Sequence, residues 1–194
     1  MPDLYQLNSV KQSYAGRTVL DVERLSVMAG EILAIVGPSG AGKSTLLRLL
    51  NFLESPTAGT ILFEGQPVPP RPPLALVRRV TSVFQRPLLL NRPVRDNVAY
   101  GLLLRGETAD GRVNEALERV GLTGLAGEAA HKLSGGEMQR VALARALALR
   151  YCAACRRDAG GEGAAFVAGD RRRSGNAFHR EGDRSNARAA LRPV

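Results

Sequence analysis

The chain reads as an α/β protein with a largely parallel sheet, and three observations point there. Short apolar runs with strand spacing alternate with longer runs of helical spacing up to Arg150. EILAIVG (31–37) is a continuous apolar stretch ending in glycine, the pattern of a strand covered on both faces. Directly after it comes GPSGAGKST, Gly37 to Thr45, a glycine-rich loop that runs into a helical pattern.

LYQLNSV (4–10) and RTVLDVERLSV (17–27) carry apolar residues at roughly every second position and predict the opening strands. KSTLLRLLNFL (43–53) has helical spacing, and GTILFEG (59–65) is a further strand. QPVPPRPP (66–73) is neither helix nor central strand, because proline lacks the N–H that both need. RRVTSVFQ (78–85) predicts a strand. PVRDNVAYGLLL (93–104), DGRVNEALERVG (110–121) and GGEMQRVALARALALR (135–150) predict helices.

The bulk properties exclude several classes. At 194 residues, 44% hydrophobic and 23% charged, the chain has the composition of a soluble globular domain. No run approaches the roughly eighteen apolar residues of a membrane span, and MPDLYQLNSV has no basic or apolar signal region. A cytoplasmic place is expected. The net charge of +9 suits polyphosphate binding without requiring it.

After Arg150 the pattern breaks. Residues 151–194 hold ten Ala, nine Arg and six Gly, no Ile or Lys, and one Leu, Leu191. Too little apolar surface is available to offset ordering, so residues 1–150 are expected to form the domain and 151–194 a disordered tail. Cys152 and Cys155 make a C-x-x-C with neither a second ligand pair nor a redox-fold context. The arginine runs come without aromatic platforms, and no nucleic-acid partner is expected.

Gly37, Pro38, Ser39, Gly40, Ala41, Gly42, Lys43 and Ser44 fit the phosphate-loop pattern G-x-x-x-x-G-K-[ST], with Thr45 next. Glycines allow backbone N–H groups to close around phosphate oxygens, and the helix N-terminus adds its positive dipole end. Lys43 is placed to reach the β- and γ-phosphates and Ser44 to ligate Mg²⁺. Alone, the loop fits a kinase, a GTPase or a transport ATPase.

About ninety residues on stands Leu133, Ser134, Gly135, Gly136, Glu137, Met138, Gln139 and Arg140. Ser134 and Glu137 read as an N-terminal capping box. Paired with the phosphate loop, LSGGEMQR resembles the signature motif of ATP-binding-cassette proteins, and the resemblance covers residues 3–150. It implies a P-loop NTPase (RecA-like) core with an N-terminal antiparallel β subdomain and a small helical subdomain. In this chain that core is truncated before the Walker B strand.

The resemblance also implies roles. Tyr14 matches the aromatic that stacks on adenine, or else is a strand-edge tyrosine. Gln85 matches the glutamine that contacts Mg²⁺ and the attacking water and senses the membrane subunit, or else is a loop residue. Ser134 and Gly136 would contact ATP held by a second subunit, so a head-to-tail homodimer with two ATP is expected, on the inner membrane face beside permease subunits. The runs TVLDVERLSVMAGEILAIVGPSGAGKSTLLRLLNFLE and VFQRPLLLNRPVRDNVAYGL resemble importers of tungstate, molybdate or phosphate, tungstate first.

The family's next strand, ending in Asp-Glu, and its later His are not found. Asp158, Asp170 and His179 lack the apolar runs that would deliver them. Binding of ATP and Mg²⁺ is therefore expected and hydrolysis impaired. A switch this abrupt implies a change of coding frame near codon 150.

Overall fold

In the computed structural model, residues 3–84, 86–109, 111–150 and 165–167 are described. Among them, those up to Val77 form one compact unit and those from Arg78 a second.

The first unit opens with two twelve-residue strands, β1 (Asp3–Tyr14) and β2 (Arg17–Met28), joined by a turn at Ala15-Gly16. Together with β3 (Ala58–Phe63) and the short β4 (Gln66–Pro67) they make an antiparallel sheet in the order β2-β1-β3-β4. The proline-bearing β4 lies at the sheet edge, where its missing N–H costs no ladder bond. The buried positions of β1 step from Tyr5 and Leu7 to Val10 and Gln12. That one-residue slip comes from Ser9, which has φ 49, within the interrupted register between Asn8 and Lys11 against β3.

Helix α1 (Lys43–Leu50) buries Thr45, Leu46, Leu49 and Leu50. An aromatic cluster closes the core beside it. The Tyr5 and Phe63 rings lie 4.9 Å apart, Phe52 meets Phe63 edge-on at 5.3 Å, and the Tyr5 hydroxyl donates to the Leu50 carbonyl at 2.8 Å.

One expectation fails in this unit. Residues 32–36, expected as a buried strand, belong to no ladder among the described residues. Ile32 is 95% exposed and Val36 59%, while Leu33 and Ile35 are half-buried. A parallel strand is held by neighbours on both sides, and no described strand pairs with this one. Apolar composition alone does not make a strand.

The first unit also holds α2 (Leu74–Val77), and the second holds β5 (Thr81–Val83), α3 (Val94–Leu103), α4 (Arg112–Arg119) and α5 (Gly135–Arg150). Its core gathers Val94, Val98 and Leu102 of α3, Val113, Ala116 and Leu117 of α4, and Val141, Ala144 and Ala148 of α5. Positions 141, 144 and 148 fall on one helical face, and their small side chains bring α5 close to its neighbours. Gly101 shows how close: a Cβ there would stand 3.0 Å from Leu149 Cδ2.

Strand β6 (Ala165–Val167) pairs parallel with β5, Thr81 opposite Ala165 and Val83 opposite Val167. These three residues belong to the segment expected to be disordered, and they correct that expectation locally. A run of five apolar residues, 164–168, is too short for a periodicity but long enough for a three-residue ladder. Residues Cys152, Cys155, Asp158, Asp170 and His179 lie outside the described residues, as does Gln85. No helix among the described residues is long and apolar enough to cross a membrane.

Candidate nucleotide site

The phosphate loop is shaped by two glycines in the left-handed region. Gly40 has φ 87 and Gly42 φ 78, and Gly42 is the residue from which α1 starts. Gly42 has a second reason to lack a side chain, since a Cβ would lie 2.6 Å from the Val19 carbonyl oxygen of β2. Within the loop, Ala41 N–H donates to the Pro38 carbonyl at 3.3 Å, and Leu46 N–H makes the first helical bond, to Gly42, at 2.9 Å.

The Lys43 ammonium donates to the carbonyls of Gly37 and Pro38, both at 2.8 Å. Those bonds hold the positive charge over the loop and leave a third N–H for another acceptor. No side chain caps α1, so the N–H groups of Lys43, Ser44 and Thr45 have no partner inside the helix. Ser44 is exposed beside them. Thr45 is only 9% exposed, so it would serve through its backbone N–H and not its hydroxyl.

An uncapped helix N-terminus, a pinned ammonium and an open loop over Ser39 and Gly40 fit a polyphosphate, with Ser44 as the hydroxyl a divalent cation would need. A cradle of backbone N–H groups and one point charge can bind and orient phosphates without doing chemistry on them.

Tyr14 ends β1 and is 40% exposed, and its hydroxyl donates to a carboxylate oxygen of Glu54. The other Glu54 oxygen meets Arg48 Nη1 at 3.3 Å. Tyr14 is thus an exposed ring, not a core tyrosine.

LSGGEMQR lies in the second unit. Its geometry there is that of the capping box. Ser134 Oγ donates to Glu137 Oε2 at 2.6 Å, Ser134 N–H donates to the same oxygen at 2.8 Å, and Glu137 N–H reaches Ser134 Oγ at 3.4 Å. That is a closed capping box at the start of α5. The Ser134 hydroxyl, then its backbone N–H, hold the Glu137 carboxyl below its ordinary range, with Arg140 adding to this and desolvation opposing. Gly135 and Gly136 are exposed, and a Cβ at either would meet nothing within 4 Å. Leu133 packs against the helical core, and Gln139 is exposed. The motif presents an open, glycine-surfaced helix start.

Two residues that sequence reading passed over organise the segment after β5. Asn97 of α3 is fully buried. Its Oδ1 accepts from Leu90 N–H at 2.8 Å and Arg145 Nη2 at 2.9 Å, and its Nδ2 donates to the carbonyls of Leu90, Arg92 and Pro93 at 3.0 to 3.2 Å. Arg145 of α5 also reaches the carbonyls of Asn97 and Leu88. Burial lowers the Arg145 pKa from its ordinary value, Tyr100 opposing, and the guanidinium stays charged. The signal was present: a polar side chain on the 94-98-102 stripe, and one arginine inside ALARALAL.

Comparison with known proteins now bears on this geometry. The family model described as ABC transporter matches residues 20–153. The chain belongs to the ABC transporter family. It is 43% identical over 147 residues to the tungstate uptake system ATP-binding protein TupC of Peptoclostridium acidaminophilum, covering 74% of this chain and 66% of that one. It is 47% identical over 148 residues to the methionine import ATP-binding protein MetN of Caulobacter vibrioides, covering 72% of this chain and 45% of that one. The structure of cbiO1 from Clostridium perfringens, part of the ABC transporter complex cbiONQ, superposes with a TM-score of 0.68 at 29% identity. That match covers 77% of this chain and 62% of cbiO1. The chain thus spans between about half and two thirds of these relatives.

Proposed function

We propose that this chain is the ATP-binding subunit of an importer, coupling ATP binding and hydrolysis to solute uptake through membrane-spanning permease subunits. The phosphate loop carries the reading: Gly40 and Gly42 shape it, the uncapped start of α1 faces it, and Lys43 is tethered over it. The family it belongs to and the import proteins it resembles support the coupling.

Backbone N–H groups of the loop and Lys43 bind and orient the triphosphate. Ser44, with Gln85, would hold a Mg²⁺ that screens the phosphate charge of bound ATP. Tyr14 takes the adenine. The glycine-surfaced start of α5, Ser134 to Gly136, would meet ATP held by a second copy, in a head-to-tail dimer on the inner membrane face. An inorganic oxyanion, tungstate first, is the solute class favoured by the TupC relative. The MetN relative is named for methionine import, so likeness between ATP-binding subunits extends across solute classes.

Turnover is expected to be weak. The sequence after ARALALR contains no apolar run ending in Asp-Glu, and losing a positioned general base costs on the order of 10²–10⁴ in rate. A coding-frame change near codon 150 accounts for the switch. Reading the other two frames there tests this, and finding no apolar strand ending in Asp-Glu would discard it.

The function test is titration of the purified chain with a fluorescent ATP analogue, alongside Lys43→Ala. Binding that falls at least about tenfold in the variant is expected for a lost charge-assisted phosphate contact. Equal binding by both proteins would refute the reading. Steady-state hydrolysis well above that of Lys43→Ala would refute the impairment but not the binding.

A further inference from the structure

We propose that Glu54 and Arg48 are positioning residues for Tyr14, fixing its ring so that the base end of the site is tied to the helix that carries the phosphate loop. The inference rests on the ATP-binding reading above.

Tyr14 is the last residue of β1, and its ring projects where 40% of the residue is open to solvent. An exposed tyrosine samples several rotamers, and a ligand that stacks on it must order the ring first. Here the ring is already anchored at its far end, by the hydroxyl's bond to Glu54. Glu54 is anchored in turn by Arg48, in the last turn of α1. The first residue of that same helix is Lys43.

The chain invests in bringing Glu54 to this place. After α1 it reverses through Asn51 and Phe52. Phe52 holds φ 56, a conformation that costs a bulky residue strain, and it is 6% exposed. The Asn51 side chain donates to the Leu47 carbonyl at 2.6 Å, and Leu53 N–H donates to the Arg48 carbonyl at 2.9 Å. These bonds fix the reversal, and Glu54 follows directly.

The hairpin side is equally anchored. Tyr14 pairs with Arg17, and Gln12 pairs with Leu20, whose neighbour Val19 sets its carbonyl against Gly42. Tyr14 thus lies two residues, about 7 Å of strand, from the point where β1–β2 meets the loop. Base end and phosphate end share one rigid frame. Preordering one ring in this way corresponds to about a two- to tenfold gain in affinity.

The test uses the full chain and two ligands, ATP and inorganic tripolyphosphate, with Mg²⁺ present. Tyr14→Phe keeps the ring and removes only its tether, and Glu54→Ala removes the anchor. Both are expected to weaken ATP about two- to tenfold while tripolyphosphate binding stays unchanged. Tyr14→Phe lies at an exposed position and keeps the test open should Glu54→Ala fold poorly. ATP affinity indifferent to both substitutions would overturn this inference alone. Parallel weakening of both ligands would also overturn it, showing that the pair supports the loop and not the ring. A wild-type chain that binds neither ligand would overturn the ATP-binding reading, and this one with it.

Discussion

Replacing Asn97 with alanine removes a side chain that has no exposed surface and five hydrogen-bond partners. The cost follows from what is left behind. Arg92 and Pro93 are exposed, so their carbonyls recover water. Arg145 keeps its bonds to the Asn97 and Leu88 carbonyls and loses only part of its set. The Leu90 N–H loses its acceptor while half-buried, and an orphaned buried group costs about 1–3 kcal/mol, whereas the Leu90 carbonyl still accepts from Arg92 N–H at 2.7 Å. The cost is about 1–3 kcal/mol, localised on the segment from Leu88 to Pro93. Hydrogen exchange reads it directly, because the Leu90 amide is the group that loses its acceptor. Exchange there should speed up by about 5- to 150-fold, while the amides of β1 and β2 stay as they were. A double-mutant cycle with Arg145→Ala should show coupling of about 1 kcal/mol or more. Unchanged Leu90 exchange, or strictly additive effects, would refute the idea that this carboxamide staples α5 to the loop.

Two further outcomes concern the helix starts. Gly42→Ala should abolish nucleotide binding and lower thermal stability, combining about 1–2 kcal/mol for a left-handed alanine with a collision against the Val19 carbonyl. Gly40→Ala meets nothing within 4 Å and should cost only the conformational part, so equal losses in a melting experiment would contradict the collision. For Glu137, the carboxyl is held below its ordinary range, so the ionised capping box contributes fully above that range and fades as pH falls through the lowered value. Glu137→Gln keeps the box without titrating. The stability gap between the two proteins, followed by circular dichroism, should therefore narrow from pH 7 to pH 3, and a constant gap would count against the ion's role.

The parts of the fold that were legible are those written in local pattern. GPSGAGKST names its own backbone geometry, since only glycine takes the conformations at positions 40 and 42 without strain. The capping box of Ser134 and Glu137 was readable for the same reason, being a contact across three residues. Contacts made at long range were not. Glu54 meets Tyr14 across forty residues and Arg145 meets Asn97 across forty-eight, and no periodicity encodes such pairs. The slip at Ser9 was hidden because a bulge shifts an alternating pattern without disturbing its composition. EILAIVG misled in the opposite way: its composition is that of an inner strand, but a strand is defined by neighbours, and none is described beside it.

That segment is also an exposed apolar stretch beside the loop. Glu31 to Val36 contains one charge and no proline, and two of its aliphatic side chains, Ile32 and Val36, stand largely in water. Such a stretch is a template for adding strands from other chains. It also leads directly into Gly37, so any chain that docks there docks against the mouth of the phosphate loop. A chain that paired with this segment would therefore meet the same few residues that lead into the loop.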